Sequence, residues 1–223
     1  PRPDTQTAIE SGPTVASRAS MLGGNATRVT AERILQILNW AAADALGCKP
    51  DQIQRDGELF ISPAEEHLTF DQVVAHAGEM GLSLYAQGKW EMPKFHWDFD
   101  SGTGVPYHCY TFGAQVAEVQ VDTATGKVKV LGIWATHAGG RVLFPQGAYG
   151  QLYGGIAQGI GYALTEGFSF HNGYPQALDL GAEHIPTALE VPPMDGHFSE
   201  YDSADGPYGA LNMAEPEGYV RIF

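Results

Sequence analysis

Glu215 is the residue whose neighbours best suit it to move a proton. It ends the stretch Gly206-Pro207-Tyr208-Gly209-Ala210-Leu211-Asn212-Met213-Ala214-Glu215, followed by Pro216, with small, apolar and turn-forming residues around it and no basic side chain. Aliphatic surroundings strip water from a carboxylate and raise its pKa, while glycine and proline fix the backbone that aims it. A general base needs both. An exposed loop glutamate would be written with the same residues, and at this level both readings stand.

A second candidate is Ser11-Gly12-Pro13-Thr14-Val15-Ala16-Ser17-Arg18. Its small residues let backbone N–H groups approach an anion, and Ser17 and Arg18 add side-chain donors for a phosphate or a polar ring. An ordinary capped loop before a helix is the alternative. A third segment runs from Tyr149 to Gly161, where Gly155 and Gly159 give one helix face two smooth patches, suited to a neighbouring backbone or to a planar ligand. The Gly-x-Gly-x-x-Gly order of a dinucleotide site is missing from it. His67, His76, His96, His108, His137, His171, His184 and His197 lack paired ligand spacing, and Cys48 and Cys109 stand far apart. These histidines read as polar core or surface groups, Cys109 as a small core residue on a strand, and no side chain is expected to ligate a metal.

Positioning these groups requires helices and a sheet. Thr30 is expected to cap a helix running to Leu46, with Ile34, Leu35, Leu38, Ala41, Ala42 and Ala45 inward and Gly47 as the stop. A strand at 59–61, a helix opened by Thr69 and carrying Val73, Val74 and Ala77, and a strand at 82–85 follow. The connection from Lys89 to Pro106 has no clean period and is the expected boundary between lobes 1–92 and 93–223. Two alternating strands, 107–122 and 127–136, join through Asp122-Thr123-Ala124-Thr125-Gly126 as a long hairpin, with Ala117, Val119, Val121, Val128 and Val130 as its apolar positions. A glycine-rich helix over 150–165 and irregular strands over 166–193 complete an α+β chain.

Composition excludes several partners. The 223 residues are 43% hydrophobic, 17% charged and carry a net charge of −14, enough for a sizeable core but repulsive to nucleic acid and to anionic bilayers. No apolar run reaches the roughly 18 residues of a membrane span. The polar opening from Pro1 is not a signal peptide, and Asn25-Ala26-Thr27 is an accidental glycosylation match.

In this order the segments resemble the C-terminal half of the molybdopterin-binding subunit of the xanthine dehydrogenase/aldehyde oxidase family, over almost the whole chain. Ser11 to Arg18 with Gly24-Asn25-Ala26 is similar to its cofactor loop, and Tyr110 to Val119 to its hairpin entry. Gly140-Arg141-Val142 with Pro145, Gly150-Gln151 to Gly161, and Ile185 to Leu189 with Val191-Pro192 keep its order. The loop from Gly206 to Pro216 is similar to the one bearing the family's catalytic glutamate. Leu211-Asn212-Met213-Ala214 stands where members usually carry a Lys-Gly-Val-Gly-like run, which bears on substrate shape.

The resemblance implies an α+β C-terminal molybdopterin-binding domain over 1–223, with mixed strands and buried helices. It implies a hydroxylase that oxidises an aldehyde or an electron-poor aromatic or N-heterocyclic carbon with water-derived oxygen. Glu215 would be the general base. Gly12, Thr14, Val15, Ala16, Ser17, Arg18, Gln151, Met213 and Ala214 would hold molybdenum-molybdopterin, plain or as its cytosine dinucleotide. A subunit with the N-terminal half of the molybdenum domain, a 2Fe-2S subunit and an FAD subunit are the expected partners, in the cytoplasm, or in the periplasm through a partner's export signal. A reductase of the hydroxybenzoyl-CoA type and a non-catalytic scaffold half remain open.

Overall fold

The computed structural model describes residues 4, 6, 12–13, 15–94, 96–211 and 213. The chain divides into two compact units, Leu22–Pro93 and a second made of Pro1–Met21 with Lys94–Phe223.

In the Leu22–Pro93 unit, helix α1 (Asn25–Ala45) follows a π-helical turn at Ala19–Gly24, so the helix is under way well before Thr30. The Thr30 hydroxyl donates to the Ala26 carbonyl at 2.8 Å. A threonine that satisfies its hydroxyl on the preceding turn need not start a helix. At the far end Gly47 takes φ +64°, and the Cys48 and Gly47 amides donate to the Ala43 and Asp44 carbonyls, a glycine-terminated Schellman closure. Leu38, Ala41, Ala42 and Ala43 are buried, while Ala45, expected inside, is exposed.

Strands β1 (Gln54–Asp56), β2 (Leu59–Ile61) and β3 (His67–Thr69) form an antiparallel sheet in that order. Helix α2 (Phe70–Glu79) opens on Thr69, whose hydroxyl accepts the Gln72 amide while the Gln72 side-chain oxygen accepts the Thr69 amide at 2.8 Å. This reciprocal cap sets α2 over Phe60 and Leu38 with Val73 and Ala77 buried. Each large side chain sealed here contributes about 1.5–3 kcal/mol. No strand forms at 82–85. The Leu82 amide instead closes α2 on the Ala77 carbonyl at 2.9 Å, the Arg33 guanidinium donates to the Gln87 carbonyl, and Gly88 lies so close to Thr30 that a Cβ there would collide with it.

The other unit begins its strands with β4 (Trp97–Asp98) and β5 (Thr103–Gly104), a small hairpin inside the connection expected to be irregular. Strands β6 (Phe112–Val121) and β7 (Val128–Ala138) make the long hairpin, which starts at Phe112 rather than Tyr107 and leaves Cys109 half-buried outside the strand. Helix α3 (Pro145–Leu164), the short hairpin β8 (Phe170–His171) and β9 (Tyr174–Pro175), and β10 (Met194–Phe198) follow. Strand β10 pairs parallel with β7, giving a mixed sheet of order β10-β7-β6. The architecture is α+β.

The hairpin's inward face differs from simple alternation. Glu118 pairs with Gly132 and Val119 with Val130, so Leu131 bulges out and the alternation of β7 changes phase. Val119 and Val121 are exposed, whereas Ile133, Ala135 and His137 are buried. Leu152, Ile156 and Ile160 of α3 cover this face, packing with Ile133 and Ala135 of β7 and Phe198 of β10. A Cβ at Gly196 of β10 would stand 2.7 Å from Leu152 Cδ2, so the helix seats where β10 has no side chain. His137 is a core residue, its ring edge-on to Phe198 at 6.2 Å. Among the described residues no helix is long and apolar enough to cross a membrane.

Candidate cofactor site

The segment Gly12–Arg18 folds as a braced turn. The Arg18 amide donates to the Val15 carbonyl at 3.1 Å, and the Met21 amide to the Ser17 carbonyl at 3.0 Å, starting the helical turns behind it. Ala16 lies in the left-handed region at φ 47°, which costs an alanine on the order of 1–2 kcal/mol and is the kind of strain that accumulates at functional loops. Arg18 turns its guanidinium back, Nη1 donating to the Pro13 carbonyl at 3.1 Å. A Cβ on Gly12, itself at φ +76°, would lie 3.1 Å from Arg18 Nη2. Glycine at 12 therefore leaves room for the arginine.

The second loop, 206–211, is held by backbone from the end of β7. Leu211 donates its amide to the Gly139 carbonyl at 2.9 Å and Arg141 its amide to the Gly209 carbonyl at 2.8 Å, bridging Gly140 and Ala210. Gly140 has φ +84°, and a Cβ there would lie 2.5 Å from the Leu211 nitrogen. Tyr208 and Gly209 are both left-handed, at φ 53° and 87°. Side chains reinforce the loop's base: Arg141 pairs with Asp202 at 2.9 Å, and the Glu200 carboxylate accepts the Val142 amide at 2.9 Å. Leu211 is buried and Met213 packs against the core beneath α3.

The two loops meet. The Met213 amide donates to Ser17 Oγ at 3.0 Å, across 196 residues of chain. Of the residues expected at the site, the structure joins Ser17 with Met213 and Gly12 with Arg18. Val15 is exposed at the rim of its turn. Gln151 projects from α3 to solvent. Thr14, Ala214 and Glu215 lie outside the described residues. The Gly139–Gly140 clamp and its Arg141–Asp202 brace were given no role from the sequence, although Gly140-Arg141-Val142 stood among the family-like segments. Among the described residues no three of His, Cys, Asp and Glu gather as a metal cluster.

Comparison with known proteins identifies the family. The profile of the molybdopterin cofactor-binding domain matches residues 2–192. The chain is 30% identical over 215 residues to the aldehyde oxidoreductase of Megalodesulfovibrio gigas, covering 96% of this chain and 20% of that protein. It is 27% identical over 217 residues to a probable hypoxanthine oxidase of Escherichia coli strain K12, covering 95% and 21%. It shares its fold with CO dehydrogenase from Oligotropha carboxidovorans, with a TM-score of 0.79 at 22% identity over 97% of this chain and 26% of that one. The chain spans about a fifth of the length of the curated relatives it matches.

Proposed function

Because this chain belongs to the molybdopterin cofactor-binding domain family, we propose that it builds the C-terminal half of a molybdenum-cofactor site in an oxidoreductase, with Glu215 as the general base. The substrate is an aldehyde or an electron-poor aromatic or N-heterocyclic carbon. The observation that supports this reading is the Met213–Ser17 hydrogen bond, which joins the donor-rich turn to a residue two positions before Glu215 in the sequence.

The residues present fit such a group. From Gly12 to Arg18 there is no carboxylate to repel a phosphate, the turn is held open by left-handed Gly12 and Ala16, and Ser17 and Arg18 supply a hydroxyl and a guanidinium. Thr14 to Arg18 bind the pterin or its nucleotide extension, plain or as the cytosine dinucleotide, with Gln151, Met213 and Ala214 completing its surroundings. When bound, the cofactor supplies two-electron oxidation and delivers a water-derived oxygen to the substrate. Glu215 accepts the proton that this oxygen gives up. A subunit or domain with the other half of the site, a 2Fe-2S carrier and an FAD carrier complete the enzyme.

Glu215→Gln tests the reading in the assembled enzyme, because it keeps shape and removes the proton acceptor. Molybdenum content should stay at the parent level while turnover falls by about 10²–10⁴-fold, the range of a lost acid–base group. A glutamine variant that turns over at the parent rate would rule out the role.

A further inference from the structure

We infer that Ser17 is a positioning residue that ties the cofactor-side turn to the segment bearing the base: by accepting the Met213 amide, its hydroxyl fixes the backbone two residues before Glu215. The inference rests on the function proposed above and adds a coupling between its two parts.

Four observations support it. Ser17 Oγ accepts the Met213 N–H at 3.0 Å in a half-buried setting, where a backbone donor left unmatched is unfavourable. Ser17 is itself held on both sides, by the Arg18–Val15 turn and by the Met21 amide on its carbonyl, with left-handed Ala16 before it. On the other strand of the contact, Leu211 is already pinned to Gly139, so the Met213 bond carries the anchoring two residues further toward Glu215. The Met213 side chain also packs on the core, leaving the backbone as the part that can shift.

A hydroxyl is suited to this coupling because it accepts and donates at once. With its oxygen engaged by Met213, the Ser17 proton remains to be donated toward a polar atom of the cofactor, and hydrogen bonds linked in this way strengthen one another. An alanine could do neither. A threonine could do both.

The test compares Ser17→Ala and Ser17→Thr in the assembled enzyme, with results normalised to molybdenum content. In Ser17→Ala, amide exchange of the peptide spanning Met213 should quicken by roughly tenfold, the scale of one lost hydrogen bond. Per molybdenum, kcat should fall by about 10–100-fold, as for a slightly misplaced reacting group, with KM nearly unchanged. Ser17→Thr should restore both. Unchanged exchange at Met213 in the alanine variant would overturn the inference, and with lowered molybdenum content it would make Ser17 a cofactor contact only. Accelerated exchange with normal kcat would overturn it as well, by separating the contact from catalysis. An active Glu215→Gln variant would defeat the proposed function without bearing on the exchange result, so the two failures are distinguishable.

Discussion

At the scale of single residues, the site depends on positions that must lack a side chain. Gly140 is the clearest. A Cβ there would stand 2.5 Å from the Leu211 nitrogen and 2.7 Å from the Gly209 oxygen, at φ +84°. The left-handed backbone alone costs a non-glycine residue about 1–2 kcal/mol, and the clash adds to it by forcing the Gly140–Ala210 bridge apart. Gly140→Ala should lower the thermal midpoint and speed amide exchange at Leu211, with molybdenum retention in the assembled enzyme falling in step. A variant with parent exchange at Leu211 would show that the bridge yields without consequence. Gly140-Arg141-Val142 was legible as a family-like segment, but the bridge partner of Gly140, Ala210, lies 70 positions away and no local pattern encodes that pairing. The Ser17–Met213 bond escaped for the same reason. Each loop was recognisable by itself, and only the fold placed a hydroxyl of one beneath an amide of the other.

Among the elements, the β6–β7 hairpin shows what local chemistry can specify. Asp122 closes its turn: its carboxylate accepts the Thr125 hydroxyl at 2.7 Å and the Ala124 amide at 2.9 Å. The Thr125 hydroxyl first, then the Ala124 amide, holds the Asp122 carboxyl below the usual aspartate range. A carboxyl whose folded pKa is depressed stabilises the fold above its unfolded value, and that contribution is lost as pH falls through the folded value. Protection of the turn amides should therefore weaken below about pH 4, and Asp122→Ala should remove that pH dependence. Equal pH dependence in both proteins would assign it to other carboxylates. The turn was legible because aspartate, threonine and glycine each have a stated use there. The buried face was not, since the bulge at Leu131 moves the inward positions onto Ile133, Ala135 and His137. The start of α1 was misread for a related reason: threonine caps helices, but inside one it can turn its hydroxyl to the preceding carbonyl.

For the whole molecule, what matters is the surface left uncovered. On the sheet face opposite α3, Phe112 is 70% exposed, and Val116 at 66% pairs across the hairpin with Trp134 at 47%. Contiguous apolar surface of this kind marks contact with other protein or drives association. The chain also spans only about a fifth of its curated relatives. If it supplies half of a cofactor site, the chain expressed alone should self-associate and hold no molybdenum, despite a net charge of −14 that favours solubility. Val116→Lys places a charge in the middle of that face, so it should reduce self-association seen by sedimentation while leaving the far-ultraviolet circular dichroism unchanged. Co-expression with a chain carrying the other half of the molybdenum domain should restore cofactor to the parent sequence. A cofactor-loaded monomer of this chain alone would mean that its residues enclose the group unaided, and the half-site proposal would fail.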